Sequence, residues 1–145
     1  MFDPKMPRGI RNCNAGNIRM SSIRWQGLRP SPTDTAFAEF VTPVYGVRAL
    51  MKVLLTYYRK YGLDTVQSII NRWAPPIENA TDHYAHHVAM RLKVKRHQTL
   101  DVTDKGTLIS LAKAIVVHEN GWAPRGYPKH WYEDALYEDA YKLIN

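Results

Sequence analysis

Apolar side chains return at three- and four-residue intervals from Val44 to Tyr61, at Val47, Leu50, Met51, Leu54, Tyr58 and Tyr61. That spacing puts them on one face of an amphipathic helix. Thr42 is placed to cap it, Pro43 suits its first turn, and Gly62 stops it. The same period predicts a second helix over about Thr65–Trp73, with Val66, Ile69, Ile70 and Trp73 sharing a face. Asp64 and Gln67 stand as its capping box, and Pro75-Pro76 ends it. A third helix follows Asn79 or Thr81 and turns Tyr84, Val88 and Leu92 inward. A fourth spans roughly Asp104–Asn120 on the stripe Leu108, Leu111, Ala112 and Ile115. A fifth, rich in aromatics, begins near His130 and carries Tyr132, Leu136, Ala140 and Leu143.

Residues 1–35 show no such period and are punctuated by Gly, Pro, Asn and Ser. Candidate strands there and just beyond are Asn17–Met20, Ile23–Trp25 and Ala36–Val41, and Pro30-Ser31-Pro32-Thr33-Asp34 is turn chemistry. The expected fold is mainly α, of the α+β kind, with about five helices and a small N-terminal β-ribbon. The connections are too short to hide a second domain, so residues 1–145 are expected to form one.

Composition adds limits. With 145 residues, 45% of them apolar and 23% charged, the chain has an ordinary globular make-up and can bury a core without staples. No apolar run approaches the roughly 18 residues of a membrane span. Met1-Phe2-Asp3-Pro4-Lys5 lacks the apolar stretch of a secretory signal, so export by that route is not expected. Cys13 is the only cysteine and cannot form an internal disulfide. The net charge of +7 favours polyanionic surroundings, either nucleic acid, anionic lipid or wall polymers, or serves plain solubility. Its distribution is uneven. Lys5, Arg8, Arg11, Arg19, Arg24 and Arg29 meet only Asp3 in the first thirty residues, whereas Glu133, Asp134, Glu138 and Asp139 cluster near the other end.

Glu119 is the most informative single residue, because it takes the next place on the stripe of the fourth helix. A carboxylate there points along the core-facing side, and it lies in the last turn, where the helix dipole disfavours negative charge. Desolvation and dipole both work against its ionised form, as a general acid acting at neutral pH requires. The bland alternative is a partly exposed glutamate at a frayed helix end. Asn120-Gly121 after it can close the helix in a left-handed conformation.

The run Arg8-Gly9-Ile10-Arg11-Asn12-Cys13-Asn14-Ala15-Gly16-Asn17-Ile18-Arg19 implies a tight, hydrogen-bonded loop with residues at positive φ. Asn14 and Asn17 could offer donors and acceptors to sugar hydroxyls and acetamido groups, and Trp25 could stack on a sugar ring. The commoner use of such asparagines is to satisfy their own turns. Other acids weigh less. Glu78 fits a helix N-terminus and loop-ordering role, and Asp34 and Glu39 are candidates for a second carboxylate. His83 and His87 lie one helical turn apart, but no third ligand is evident and no metal is expected. Cys13 has no neighbouring His, and Ser21-Ser22 carry no nucleophile signature. Tyr57-Tyr58-Arg59-Lys60-Tyr61 interleaves cations and aromatics as a nucleic-acid grip does, though a helix with tyrosines inward reads more simply.

Taken in order, that first run, Trp25-Gln26-Gly27, Phe37 with Phe40, Tyr45-Gly46-Val47-Arg48-Ala49, Ile69-Ile70-Asn71-Arg72-Trp73-Ala74-Pro75-Pro76, Glu78-Asn79-Ala80-Thr81 and Tyr84 resemble a family of phage and prophage proteins. Its members are described as virion structural proteins, some as lysozyme-like or peptidoglycan-degrading. The family's usual opening is Arg-Asn-Asn-Asn-Pro-Gly-Asn-Ile-Arg; here Cys13 replaces an Asn and Ala15 the Pro. The resemblance covers residues 8 to about 120. Leu111 to Gly121, ending His118-Glu119-Asn120-Gly121, is similar to the catalytic helix of lytic transglycosylases, which ends Glu-Ser-Gly. Asn14-Ala15-Gly16-Asn17-Ile18 with Phe37 and Phe40 is similar to segments of phage-type glucosaminidases. In those enzymes the Glu helix precedes the Asn-rich segment, and here it follows.

The resemblances imply a lysozyme-like fold and a peptidoglycan-cleaving glycosidase or lytic transglycosylase. Glu119 would be catalytic, with Asn14, Asn17, Arg19, Trp25 and Glu78 at the substrate and no cofactor. The implied partners are peptidoglycan and other virion proteins. The chain would be made in the host cytoplasm and act in the virion or the host periplasm and wall. A non-catalytic virion protein keeping the fold is the alternative, and a DNA-associated phage protein ranks last.

Overall fold

The computed structural model describes residues 5–75 and 80–144. These residues are mainly α, with six helices among them: α1 Arg8–Arg11, α2 Pro43–Tyr61, α3 Val66–Trp73, α4 Ala80–Leu92, α5 Lys105–Asn120 and α6 Asp134–Lys142. Among the described residues no helix is long and apolar enough to cross a membrane.

α5 is the hub. Leu108, Leu111, Ala112 and Ile115 are buried on the expected stripe, but so are Ile109, Ala114, Val116 and Val117. A helix that is apolar nearly all round belongs inside a protein. α4, α2, α6 and α1 all pack against it, α4 most extensively, while α2 and α6 also pack on each other and α3 on α4. α2 buries Val47, Leu50, Met51 and Leu54 as its period predicts, while Tyr61 at its end stays exposed. Gly62 closes α2 in the left-handed conformation, donating to Tyr57 and Tyr58 carbonyls.

Several boundaries differ from expectation for identifiable reasons. Thr42 precedes α2 but makes no side-chain cap. The capping box of α3 is Thr65 with Ser68, rather than Asp64 with Gln67, because the hydroxyls exchange bonds with both backbone amides. α6 starts four residues later than expected, at Asp134, and its core tyrosine is Tyr137, whose hydroxyl donates to the His130 carbonyl. The short α1 was not foreseen, since four residues cannot display a helical period. Asn79, a candidate cap for α4, lies outside the described residues.

The β-ribbon is a correction: the described residues contain no β-strand. Two isolated antiparallel bridges, Arg19 with Phe37 and Leu28 with Phe40, stand in its place. The segment around residues 37–40 changes neighbour within three residues. The Ala38 amide donates to the Ile18 carbonyl, and the Glu39 carbonyl accepts from the Arg29 amide. Neither pairing propagates into a ladder. Beneath these loops Cys13, Ala38, Phe40 and Ala49 form a small second core, with Trp25, Leu28 and Tyr45 against it.

Candidate functional site

α5 delivers Glu119 to the surface in its last turn, one residue before the helix ends. Its carboxylate is only partly exposed and is held from two sides. Asn17 Nδ2 donates to Oε1 at 3.0 Å, and the Tyr84 hydroxyl donates to Oε2 at 2.9 Å. Burial, then the Glu119 charge, holds the Tyr84 phenol well above its usual range, so this partner is a neutral donor. Gly121 follows with φ 77° and ψ 176°, an extended backbone at positive φ rather than the left-handed closure expected.

Asn17 is itself in the left-handed region, with φ 51°. The turn before it is rigid because Asn14 is fully buried and spends its amide inside the loop. Asn14 Nδ2 donates to the Ile18 and Ala38 carbonyls, and its Oδ1 accepts from the Ile18 amide. Asn14 therefore spends its side-chain donors and acceptor on shaping the turn, and it is not among the residues lining the cleft beside Glu119. α1 and α5 meet the same turn: Asn120 Nδ2 donates to the Ala15 carbonyl at 2.8 Å.

Asn17 and Glu119 line one cleft of about 590 Å³. Arg19, Trp25, Phe37, Tyr57 and Trp73 form much of the rest of its wall. Trp25 also lines a smaller adjoining pocket of about 150 Å³. Arg19 leans over the Phe37 ring at 5.0 Å. Tyr84, Tyr57, Phe37 and Trp73 were not singled out as site residues. Tyr84 and Trp73 read as inward residues of helical stripes, Phe37 as part of a candidate strand, and Tyr57 as one member of the run of cations and aromatics ending α2. The hydroxyl of a buried Tyr, which needs a polar partner, was the available signal for Tyr84. Glu78 lies outside the described residues.

The two other candidate carboxylates belong to the loop. Asp34 accepts from Arg8, Asn12 and the Ala36 and Phe37 amides. These bonds, that of Arg8 foremost, hold its carboxyl far below the usual range. Glu39 is 2% exposed. Burial works against its charge, but the Asp34 and Thr33 amides, the Thr33 hydroxyl and Arg29 outweigh it and keep the group low. Both stay ionised and saturated. Among the described residues lining the cleft, Glu119 is the only carboxylate.

Across this geometry a relative can be compared. The chain is 41% identical over 123 residues to "Protein P5" of Pseudoalteromonas phage PM2, covering 83% of this chain and 75% of that protein. It belongs to the Protein P5 family. No protein-family model matches it. The Protein P5 match thus places the chain among phage proteins.

In this Protein P5 relative the histidines surround α4 and the end of α5. The Tyr84 ring that bonds Glu119 stacks on His118 at 3.6 Å, and the His87 ring stands edge-on to His118 at 5.8 Å. Burial, then the neighbouring His87 and Arg91, pushes His118 down to about 4. His83 and His87 lie ring to ring at 4.2 Å. No group of three or more His, Cys, Asp and Glu that could hold a metal occurs among the described residues.

Proposed function

We propose that this phage protein is a lysozyme-like enzyme that cleaves the glycan of peptidoglycan, with Glu119 as its general acid and then its base. One observation carries this reading: a partly buried carboxylate, oriented by two donors, stands on an open cleft walled by Trp25, Trp73, Tyr57 and Phe37. Aromatic faces suit sugar rings, and Asn17, Arg19 and Ser21 supply polar edges for hydroxyl and acetamido groups. Water-activating chemistry of the two-carboxylate kind needs a second acid across the bond. Among the described residues Asp34 and Glu39 are committed elsewhere and the cleft carries no carboxylate besides Glu119, which favours a lytic transglycosylase. There Glu119 protonates the leaving oxygen, and the sugar's own 6-hydroxyl then attacks the anomeric carbon while the carboxylate takes its proton. One acid serves both halves of that cycle.

The test is digestion of purified sacculi with analysis of the released fragments. Anhydro-sugar ends are expected, and Glu119→Gln should lower the rate by about 10²–10⁴-fold. Full activity in that variant removes Glu119 from the chemistry. Reducing ends in place of anhydro ends would mean that water is the nucleophile. The substitutions of Cys13 and Ala15 in the opening motif favour a second reading, a virion protein that keeps this fold without turnover. It predicts incorporation into particles with no fragments released.

A further inference from the structure

Next to His118, whose ring His87 meets edge-on, the molecule has a further concavity of about 230 Å³. His87, Met90, Arg91 and Trp122 line it. Met90 and Trp122 are 63% and 51% exposed, large apolar surfaces held open to solvent. Arg91 is different. Its Nε and Nη1 are buried without a hydrogen-bond partner, and none of the described ion pairs includes it. Its guanidinium lies 5.2 Å from the centre of the Trp122 ring, and the Lys129 ammonium reaches the same ring at 5.1 Å. His130 flanks it at 6.0 Å.

Two cations thus converge on one exposed indole, and among the described residues neither is in an ion pair. A partly desolvated charge without a counter-ion is costly, and an anion arriving there recovers that cost. Burial, followed by His83 and Arg91, pulls His87 below its usual value, so near neutral pH the positive charge comes from Arg91 and Lys129. The apolar walls of Met90 and Trp122 suit a short aliphatic stem bearing the anion. Trp122 lies three residues after Glu119, so their Cα atoms are at most about 11 Å apart.

We propose that the Arg91–Trp122 pocket binds a free carboxylate of the short peptides borne by the wall glycan, so that the preferred substrate is glycan still carrying its stems. This rests on the glycan-cleaving reading above, and the experiment separates the two. A stem tetrapeptide with free carboxylates, and the same peptide fully amidated, are titrated into the full chain. The indole N–H resonance of Trp122, assigned with Trp122→Phe, is followed by NMR. The free peptide should give a saturable shift. Binding should be at least tenfold weaker for the amidated peptide and for Arg91→Gln, and partly restored in Arg91→Lys.

The same proteins are then given intact sacculi and glycan stripped of its stems. Faster cutting of the stemmed polymer by the unmodified chain, with the preference lost in Arg91→Gln, supports the pocket. Peptide binding without any glycan cleavage leaves the pocket standing and overturns the enzymatic reading. Cleavage indifferent to stems, with no shift at Trp122 or equal binding of both peptides, overturns the pocket and leaves the enzyme.

Discussion

Asn17 and Glu119 are 102 residues apart in the chain and 3.0 Å apart in space, with the Asn17 amide donating to the carboxylate. That single bond joins the N-terminal loop to the end of the central helix across the cleft floor. It fixes one carboxylate oxygen, and Tyr84 fixes the other. The two donors reach Glu119 from different elements, so their contributions can be removed one at a time.

Replacing Tyr84 by Phe deletes the hydroxyl while keeping the ring stacked on His118. Hydrogen bonds to charged groups contribute about 1.5–3 kcal/mol, so the rate on sacculi should fall roughly tenfold to a hundredfold. Binding of the polymer should change little, because the phenol faces the carboxylate rather than the ligand. A Tyr84→Phe enzyme with undiminished turnover would show that the bond only stabilises the fold.

Gly9 offers a structural counterpart. A Cβ added there would lie 2.7 Å from both Asn17 Oδ1 and Asn120 Oδ1, and 2.9 Å from the Asn14 carbonyl. The Asn14 backbone cannot swing away, because Asn14 is buried and bonded inside its turn. Gly9→Ala should therefore cost about 1–3 kcal/mol of stability by overpacking. It should also loosen Asn17 from Glu119, lowering activity beyond what unfolding explains. Equal denaturation midpoints for the two proteins would mean that the loop yields more easily than its contacts indicate.

The helices were legible because their apolar spacing is set by the core they face: α5 buries all four residues of its stripe, and α2 buries Val47, Leu50, Met51 and Leu54, though not Tyr61 in its last turn. Glu119 stood out as the polar break in one such stripe. The loops were less legible. Phe37 and Phe40 suggest a strand by composition, yet their segment bonds to one neighbour at Ile18 and another at Arg29, a choice made by tertiary packing. Asn14 and Asn17 look equivalent in sequence. Only the fold makes Asn14 a buried strut and leaves Asn17 on the cleft. Tyr84 and Trp73 read as core because their rings are mostly core; the hydroxyl of Tyr84 serves the site through a contact 35 residues away.

His118 makes stability depend on pH in a window of its own. Burial, with His87 and Arg91 adding to it, lowers its folded value to about 4, against about 6.5 for an unperturbed histidine. Between those values the unfolded chain takes up a proton that the folded chain resists, so stability rises with pH across the window. The contribution is complete above about pH 6.5 and is lost as pH falls towards 4. The ring is only partly buried, so solvent screening reduces the effect to on the order of 1 kcal/mol. Asp34 acts lower: its depressed carboxyl adds stability above about pH 4 that is lost below it. Urea midpoints at pH 5 and 7 should therefore differ in the native chain and differ less in His118→Gln, where His87 and His130, also held below the usual histidine value by burial, keep a remainder, while Asp34→Asn leaves the full difference in place. A His118 ring resonance titrating near 6.5 would mean that the stacked ring is hydrated, and the window would close.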